Sequence, residues 1–156
     1  MTANAKPKAK GRKKPEVPAL LSYVLEIEDW NWDYSFGVDE LKHEGPYREF
    51  RHLSLFGRLL QPEALYIEHS EFTFMPNPGH DFCHRESHQP KTVGHIHLYQ
   101  KTLRATAWMP QDALPPVLTM LAAKQLRYAN LTGEKLRYRK APILSYRLQR
   151  RWDVDE

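Results

Sequence analysis

The sequence predicts a β-rich α+β domain, either an antiparallel β-sandwich or one strongly curved sheet, with a single amphipathic helix near residues 112–124. Three observations predict it. Several short segments alternate apolar and polar residues, turn residues separate these segments, and only one segment has helical periodicity. With 156 residues, 41% of them hydrophobic, the chain can form one core but is too short for two ordinary domains.

Residues 20–38 have the period of a strand, and we expect either two strands or one strand bent near Asp29. Residues 50–60 and 64–75 are also strand-like. Within residues 20–38, an aromatic row alternates with a polar row. The aromatic row is Trp30, Trp32, Tyr34 and Phe36, and the polar row is Asn31, Asp33, Ser35 and Gly37. We therefore predict that the aromatic face is core, whereas an exposed row would offer a stacking platform for bases or sugars.

The second half of the domain begins with a hairpin of residues 93–99 and 103–109. The helix follows, with Asp112 as its expected N-cap and one apolar stripe at helical spacing. The stripe is Leu114, Val117, Leu118 and Leu121. Three further strands are predicted, at residues 125–131, 135–140 and 142–150, the first two joined by a turn at Thr132 and Gly133.

The charge is unevenly distributed along the chain. Residues 1–14 carry +6, residues 15–99 carry −8, residues 100–151 carry +9 and the last five residues carry −3. Composition divides the chain in the same way. We predict a disordered basic arm at residues 1–18, one globular domain at 19–151 with a long loop at 75–92, and an acidic tail at 152–156.

The compartment predicted is the cytoplasm. No apolar run approaches the roughly 20 residues needed to cross a bilayer, so we expect no membrane partner. No secretory signal is recognised, and the single cysteine, Cys83, suits a reducing environment. The stretch GRKKP in the arm resembles a nuclear-localisation patch, which would place the protein in the nucleus if the source is eukaryotic.

Basic residues alternate with apolar ones in the three C-terminal segments. If those strands are neighbours, their cations share one outer face, where guanidinium groups can donate paired hydrogen bonds to phosphates. The predicted polyanion-binding residues are Arg127, Lys135, Arg137, Arg139 and Arg147, with Lys13 and Lys14 of the arm. The alternative is an ordinary solvated strand face.

Residues 80–97 hold five of the eight histidines and the only cysteine. One helical turn would bring His84 and His88 together, and a strand would place His95 and His97 on one outward face. These four histidines, with Cys83, are the candidate zinc ligands. No paired Cys-x-x-Cys accompanies them, and the glutamate of HRESH is misplaced for a zincin, so we favour a surface loop.

The sequence therefore predicts a small, non-enzymatic intracellular binding module without a cofactor. Its partner would be nucleic acid or an acidic protein surface, held by the basic arm and the basic sheet face. One alternative is a zinc-binding protein that uses loop 80–97. Another is a structural or interaction subunit whose partner meets a sheet edge or the outer side of the helix. No catalytic motif is recognised, and the nucleophile elbow of a serine hydrolase is absent from the sequence.

Overall fold

The computed structural model describes residues 18–38, 47–77 and 92–153, which form seven strands and one short α-helix. The elements, in chain order, are β1 (Leu20–Val38), β2 (Tyr47–Gln61), β3 (His69–Asn77), β4 (Gly94–Tyr99), β5 (Thr102–Pro110), α1 (Leu114–Ala122), β6 (Tyr128–Glu134) and β7 (Lys140–Gln149). A 3-10 turn, Gln111–Ala113, precedes α1. The predicted β-rich class with one helix is confirmed.

The strands form one sheet that closes on itself as a barrel, in the order β1-β2-β3-β5-β4-β7-β6 and back to β1. Of the two architectures considered, the structure has the single, strongly curved sheet. The pairing is antiparallel except between β3 and β5, which run parallel. Closure gives the strands a neighbour on each side over part of their length, and this removes most of the open edges that a flat sheet would expose.

The core fills the barrel interior with side chains from alternate strand positions. On β5, every second residue from Leu103 to Met109 is buried, as a half-exposed strand requires. The largest fully buried side chains include Tyr23, Phe72 and Phe74. Small residues accompany these rings, so that side chains from seven strands fit inside one closed sheet. The small buried residues are Ala105, Ala107, Ala129 and Ala141.

β1 is one strand with a bend where the sequence suggests it. Its register against β2 shifts between Ile27 and Asp29, so the strand carries a bulge there. Gly57 of β2 lies opposite Ile27 at this bend. A Cβ atom on Gly57 would lie 1.8 Å from the backbone oxygen of Glu26, so the close approach of the two strands requires glycine.

Helix α1 presents the predicted apolar stripe to the core. Leu114 and Leu121 are buried, and Val117 and Leu118 pack against the same cluster. The expected cap is wrong: the residue before the helix is Ala113, it makes no capping side-chain hydrogen bond, and Asp112 lies in the 3-10 turn. None of the helices among the described residues is long and apolar enough to cross a membrane.

Several predictions fall on residues that the structure does not describe. The arm at 1–18 lies outside the described residues apart from its last position, and so does most of the loop at 75–92. Of the predicted acidic tail, Trp152 and Asp153 are described. The Trp152 ring lies 6.2 Å from the ring of Tyr128 on β6.

Beyond the barrel, β1 and β2 continue as a two-stranded ribbon, which we define as residues 33–38 of β1 and 47–52 of β2. Among the described strands, nothing else pairs with this ribbon. At its base, Arg51 donates to the Gln111 side-chain oxygen from Nη1 and Nη2, at 3.1 and 3.0 Å in the amide orientation that satisfies both groups. Arg51 also forms an ion pair with Glu49 at 3.0 Å.

The aromatic row is core only at its barrel end. Trp30 and Trp32 are partly buried, but Tyr34 is 57% exposed and Phe36 is 62% exposed. The prediction of a buried row is therefore wrong for the two residues in the ribbon. Their strand has left the barrel, and none of the described strands lies opposite to cover them.

Candidate polyanion-binding surface

The connection between β6 and β7 is a tight basic hairpin tip, defined here as residues 135–140. Arg137 and Lys140 exchange backbone hydrogen bonds at 2.8 and 3.0 Å, which leaves a two-residue loop of Tyr138 and Arg139. Both loop residues have positive φ, 51° and 66°, as a type I′ turn requires. The tip therefore projects its side chains outward, and that of Tyr138 is fully exposed.

This geometry corrects the strands predicted from sequence. Residues 135–139 are not a strand; only an isolated bridge joins Arg137 to Lys140. Thr132 and Gly133 lie inside β6 rather than in a turn. Asparagine and glycine dominate type I′ turns, and neither marks this one, so the sequence lacks the usual signal for its position.

The predicted polyanion-binding residues consequently lie in three places. Lys135, Arg137 and Arg139 are exposed in the hairpin tip. Arg147 lies on the outer face of β7, opposite Asn130 of β6. Arg127 is exposed at the other end of the same hairpin, where its amide donates to the Gln149 backbone oxygen. Since β6 has seven residues, about 23 Å separates Arg127 from the tip. Lys13 and Lys14 lie outside the described residues.

A second row of basic residues, which sequence reasoning missed, runs across the strands beside the tip. Arg104 of β5 lies opposite His97 of β4, and His97 lies opposite Lys140 of β7. Adjacent strands are about 4.8 Å apart, so the three side chains start within about 10 Å of one another on the outer face. The alternation of the β4–β5 hairpin could have placed Arg104 beside His97. The pairing of β4 with β7 has no local signal.

One carboxylate borders this row. Glu71 of β3 lies opposite Arg104, and its Oε2 atom is 3.4 Å from Arg104 Nε. Its Oε1 atom accepts hydrogen bonds from the hydroxyls of Ser54 and Thr73 at 3.4 and 3.5 Å. Glu71 thus restrains Arg104 from one side, while the opposite side of the row remains basic.

The tip itself is not neutralised. Among the described residues, no acidic side chain forms an ion pair with Lys135, Arg137, Arg139 or Lys140. Exposed aromatic rings accompany these cations. The Leu98 amide donates to the Arg139 backbone oxygen at 2.8 Å, which brings the tip alongside Tyr99 at the end of β4. The Tyr99 side chain is 69% exposed.

The histidine pair of β4 lies as predicted: His95 and His97 are exposed on the outer face. His97, however, has Arg104 and Lys140 on either side, and neighbouring cations oppose the binding of a divalent metal ion. Among the described residues, no group of three or more potential ligands could hold a metal. The other candidate ligands, His84, His88 and Cys83, lie outside the described residues, so the zinc site stays a prediction.

The comparisons with known proteins give no family and no relative. No family model matches the chain, and neither a curated protein nor a solved structure is significantly similar to it. The description of the protein therefore rests on its own structure, which is a seven-stranded mixed barrel with one helix and a basic hairpin tip.

Proposed function

We propose that this protein binds single-stranded nucleic acid on the outer surface formed by β4, β5 and the hairpin tip. The observation that carries the proposal is that exposed rings share this surface with cations for which the described residues offer no ion-pair partner. Lys140 lies opposite His97, and Arg137 and Arg139 belong to the same tip as Lys140. Tyr138 is exposed in the tip, and Tyr99 is exposed next to Leu98, whose amide bonds to the Arg139 backbone oxygen.

Each part of the surface matches one part of the ligand. The guanidinium groups of the tip can donate paired hydrogen bonds to phosphate oxygens, and binding then releases condensed counterions. The exposed rings offer faces on which unstacked bases can stack, at about 1–3 kcal/mol per base. An acidic protein surface could pair with the cations alike and could also contact the rings, but rings that accompany phosphate-binding side chains correspond to both parts of a nucleotide, its base and its phosphate. Nucleic acid is therefore the partner that accounts for more of the surface.

Charge reversal at the tip tests the cations. The full chain and the double variant Arg137→Glu/Arg139→Glu would be titrated against a labelled single-stranded oligonucleotide at several salt concentrations. We expect the affinity to fall at least about tenfold. We also expect the slope of log affinity against log salt to decrease by about 1.4, since two phosphate contacts are lost at about 0.7 each.

A matched variant separates this site from a general charge effect. Arg150 and Arg151 are exposed at the far end of the same hairpin, beyond Gln149. Arg150→Glu/Arg151→Glu changes the net charge by the same amount, and it should weaken binding much less. Equal losses in the two variants, or no binding by the full chain at low salt, would rule out this surface. Lys13→Glu/Lys14→Glu measures the contribution of the arm in the same assay.

Tyr138→Ala tests the rings, because it leaves every charge in place. Since Tyr138 is fully exposed, folding should not change, and the loss of one stacked base should lower affinity by about tenfold. A polyanion without bases, such as heparin, should bind Tyr138→Ala as well as the wild type. If the oligonucleotide also binds both proteins equally, bases do not stack on Tyr138, and the proposal would be reduced to a general affinity for anions.

A further inference from the structure

Three exposed tyrosines lie at one end of the barrel, each in or beside a different connection between strands. Tyr138 belongs to the hairpin tip, Tyr99 ends β4 at the turn to β5, and Tyr66 belongs to the connection between β2 and β3. They are 100%, 69% and 76% exposed. The proposed function accounts for the first two rings and leaves Tyr66 without a role.

The connection between β2 and β3 holds the Tyr66 ring in solvent. Leu65 and Ile67, on either side of it in the chain, are partly buried and pack against the core of the barrel. Because both neighbours are anchored there, the backbone between them has a fixed position and the ring of Tyr66 extends from the barrel end.

Lys101, in the turn between β4 and β5, connects this ring to the nucleic-acid surface. Its Nζ atom lies 5.0 Å from the centre of the Tyr66 ring, within the range of a cation–π contact, and it forms an ion pair with Glu68 at 2.5 Å. The Lys101 backbone oxygen accepts from the amides of Glu68 and His69 at 2.8 and 3.3 Å. The turn that follows Tyr99 is therefore joined to the connection that carries Tyr66.

The hairpin tip adjoins the other side of β4. The backbone bond from Leu98 to Arg139, at 2.8 Å, continues the β4–β7 pairing of His97 with Lys140. Tyr99 and Tyr138 are the next residues along the two segments that this bond joins. The three connections are thus hydrogen-bonded in series, and their tyrosines form a row from the tip, past the end of β4, to Tyr66.

We propose that the nucleic-acid strand bound at the tip continues across this end of the barrel and stacks a further base on Tyr66. The ligand is then a single strand with at least three bases. This inference rests on the proposed function and extends its site. Several rings in a row match a polymer in which the stacking unit repeats, as in proteins that bind single strands on successive aromatic side chains.

The charges divide the row into two parts. At the tip, the cations have no ion-pair partner among the described residues, so they are available to phosphates. Beside Tyr66, the charge of Lys101 is balanced by Glu68. The Tyr66 position therefore offers a ring face without a net positive charge, and it should contribute to affinity through the base alone.

A length series tests the extension. Labelled oligothymidylates of about two to twelve nucleotides would be titrated against the full chain and against Tyr66→Ala. We expect Tyr66→Ala to lower the affinity for the longest oligonucleotides by about tenfold, the effect of one lost stacked base, and to leave the shortest that binds unaffected. Because the variant changes no charge, the slope of log affinity against log salt should stay the same.

Two further variants serve as controls in the same titrations. Tyr66→Phe keeps the ring and should restore the affinity that Tyr66→Ala loses, since stacking needs no hydroxyl. Tyr34→Ala removes a ring of similar exposure, 57%, from the ribbon, and binding should not change. Circular dichroism checks that each variant folds.

The outcomes separate this inference from the proposed function. If Tyr138→Ala weakens binding but Tyr66→Ala weakens it at no length, the strand does not reach Tyr66, and the extension is wrong while the proposed function stands. An equal loss at every length, or an equal loss in Tyr34→Ala, also overturns the extension. If the full chain binds none of the oligonucleotides, both proposals fail.

Discussion

β1 and β2 pass side by side through two different environments. Inside the barrel, Leu25 of β1 and Leu53 and Leu55 of β2 are fully buried. A few residues further along, the same alternation leaves Tyr34 and Phe36 more than half exposed. The hydrogen-bonded ladder between the strands continues through both regions, so backbone pairing does not distinguish them. The difference is the opposite wall of the barrel, which is present in one region and absent in the other.

Alternation therefore establishes which side chains share a face, but it does not establish that the face is covered. In the ribbon, contacts between neighbouring rings replace core packing. Across the two strands, the Phe36 ring of β1 stacks on the Tyr47 ring of β2 at 5.5 Å, and along β2 the Phe50 and His52 rings lie 5.2 Å apart. Contacts of this kind contribute roughly 0.2–1 kcal/mol each, and a two-stranded ribbon alone is only marginally stable. We expect the barrel to supply the stability of the protein and the ribbon to supply a surface.

Truncating one ring in each region should give the largest contrast. Phe74→Ala removes a fully buried ring and should lower the free energy of unfolding by about 3–5 kcal/mol, through lost burial and the resulting cavity. Phe36→Ala should cost less than about 1 kcal/mol. Urea denaturation measures both losses. Similar losses in the two variants would mean that Phe36 is buried in the folded monomer.

Glycine substitutions sharpen the same contrast through backbone crowding. Gly57→Ala places a methyl group 1.8 Å from the Glu26 backbone oxygen at the bend of β1, and it should destabilise by about 3 kcal/mol. Gly37→Ala, in the ribbon, has no atom within 4 Å of the new methyl group. It should stabilise slightly, by roughly 0.5 kcal/mol, because alanine loses less backbone freedom on folding. Thermal melts of both variants would measure these opposite changes in stability. A Gly57→Ala variant as stable as the wild type would disprove the steric argument.

Removal of the buried Tyr23 hydroxyl should give the smallest loss of stability, and this loss should depend on pH. Tyr23 donates to the Glu134 backbone oxygen at 2.8 Å, and removing the hydroxyl in Tyr23→Phe should cost about 1 kcal/mol at neutral pH. Burial raises the pKa of Tyr23 above its ordinary value of 10.0, and a backbone hydrogen bond at Leu136 only partly opposes this shift. The contribution of this tyrosine is therefore complete below pH 10 and decreases as the pH rises above it.

Urea denaturation between pH 8 and 11 follows that decrease. The gap in stability between wild type and Tyr23→Phe should narrow as the pH rises, because phenylalanine has no proton to lose. Burial also raises the pKa of Tyr146, whose hydroxyl donates to the Trp108 backbone oxygen at 3.0 Å. The difference in stability between the wild type and Tyr146→Phe should therefore also narrow as the pH rises. A gap that stays constant or widens would contradict the shift.

Local sequence signals predicted the elements that depend on local physics. The bend of β1, the β4–β5 hairpin and the apolar stripe of α1 follow from residue spacing, and the structure has all three. The parallel pairing of β3 with β5 and the contact of β4 with β7 join segments that are distant in the chain. Such pairings result from the closure of the whole sheet, for which single segments carry no signal.

The candidate surface was predicted only in part, because some of its residues come together through non-local strand pairing. The alternation of basic and apolar residues predicts Arg137 and Arg139, but on a strand that the hairpin tip replaces. A positive φ at Tyr138 and Arg139 costs roughly 1–2 kcal/mol per residue, and the adjoining ladder of β6 and β7 must offset it. Lys140 lies beside His97 only through the non-local pairing of β4 with β7, so the complete basic row came only from the structure.

The seam between β1 and β6 sets an order of events for chain synthesis and folding. Leu20 pairs with Glu134, more than a hundred residues later in the chain. The backbone groups on the second edge of β1 therefore have no strand partner until β6, the last strand but one, has been synthesised. Until β6 emerges from the ribosome, the earlier strands can form only an open sheet with an unpaired edge and an uncovered apolar face. Pairings of such long sequence separation fold slowly, and incomplete sheets of this kind aggregate. Chains terminated after α1 should therefore be the form of this protein that most requires a chaperone.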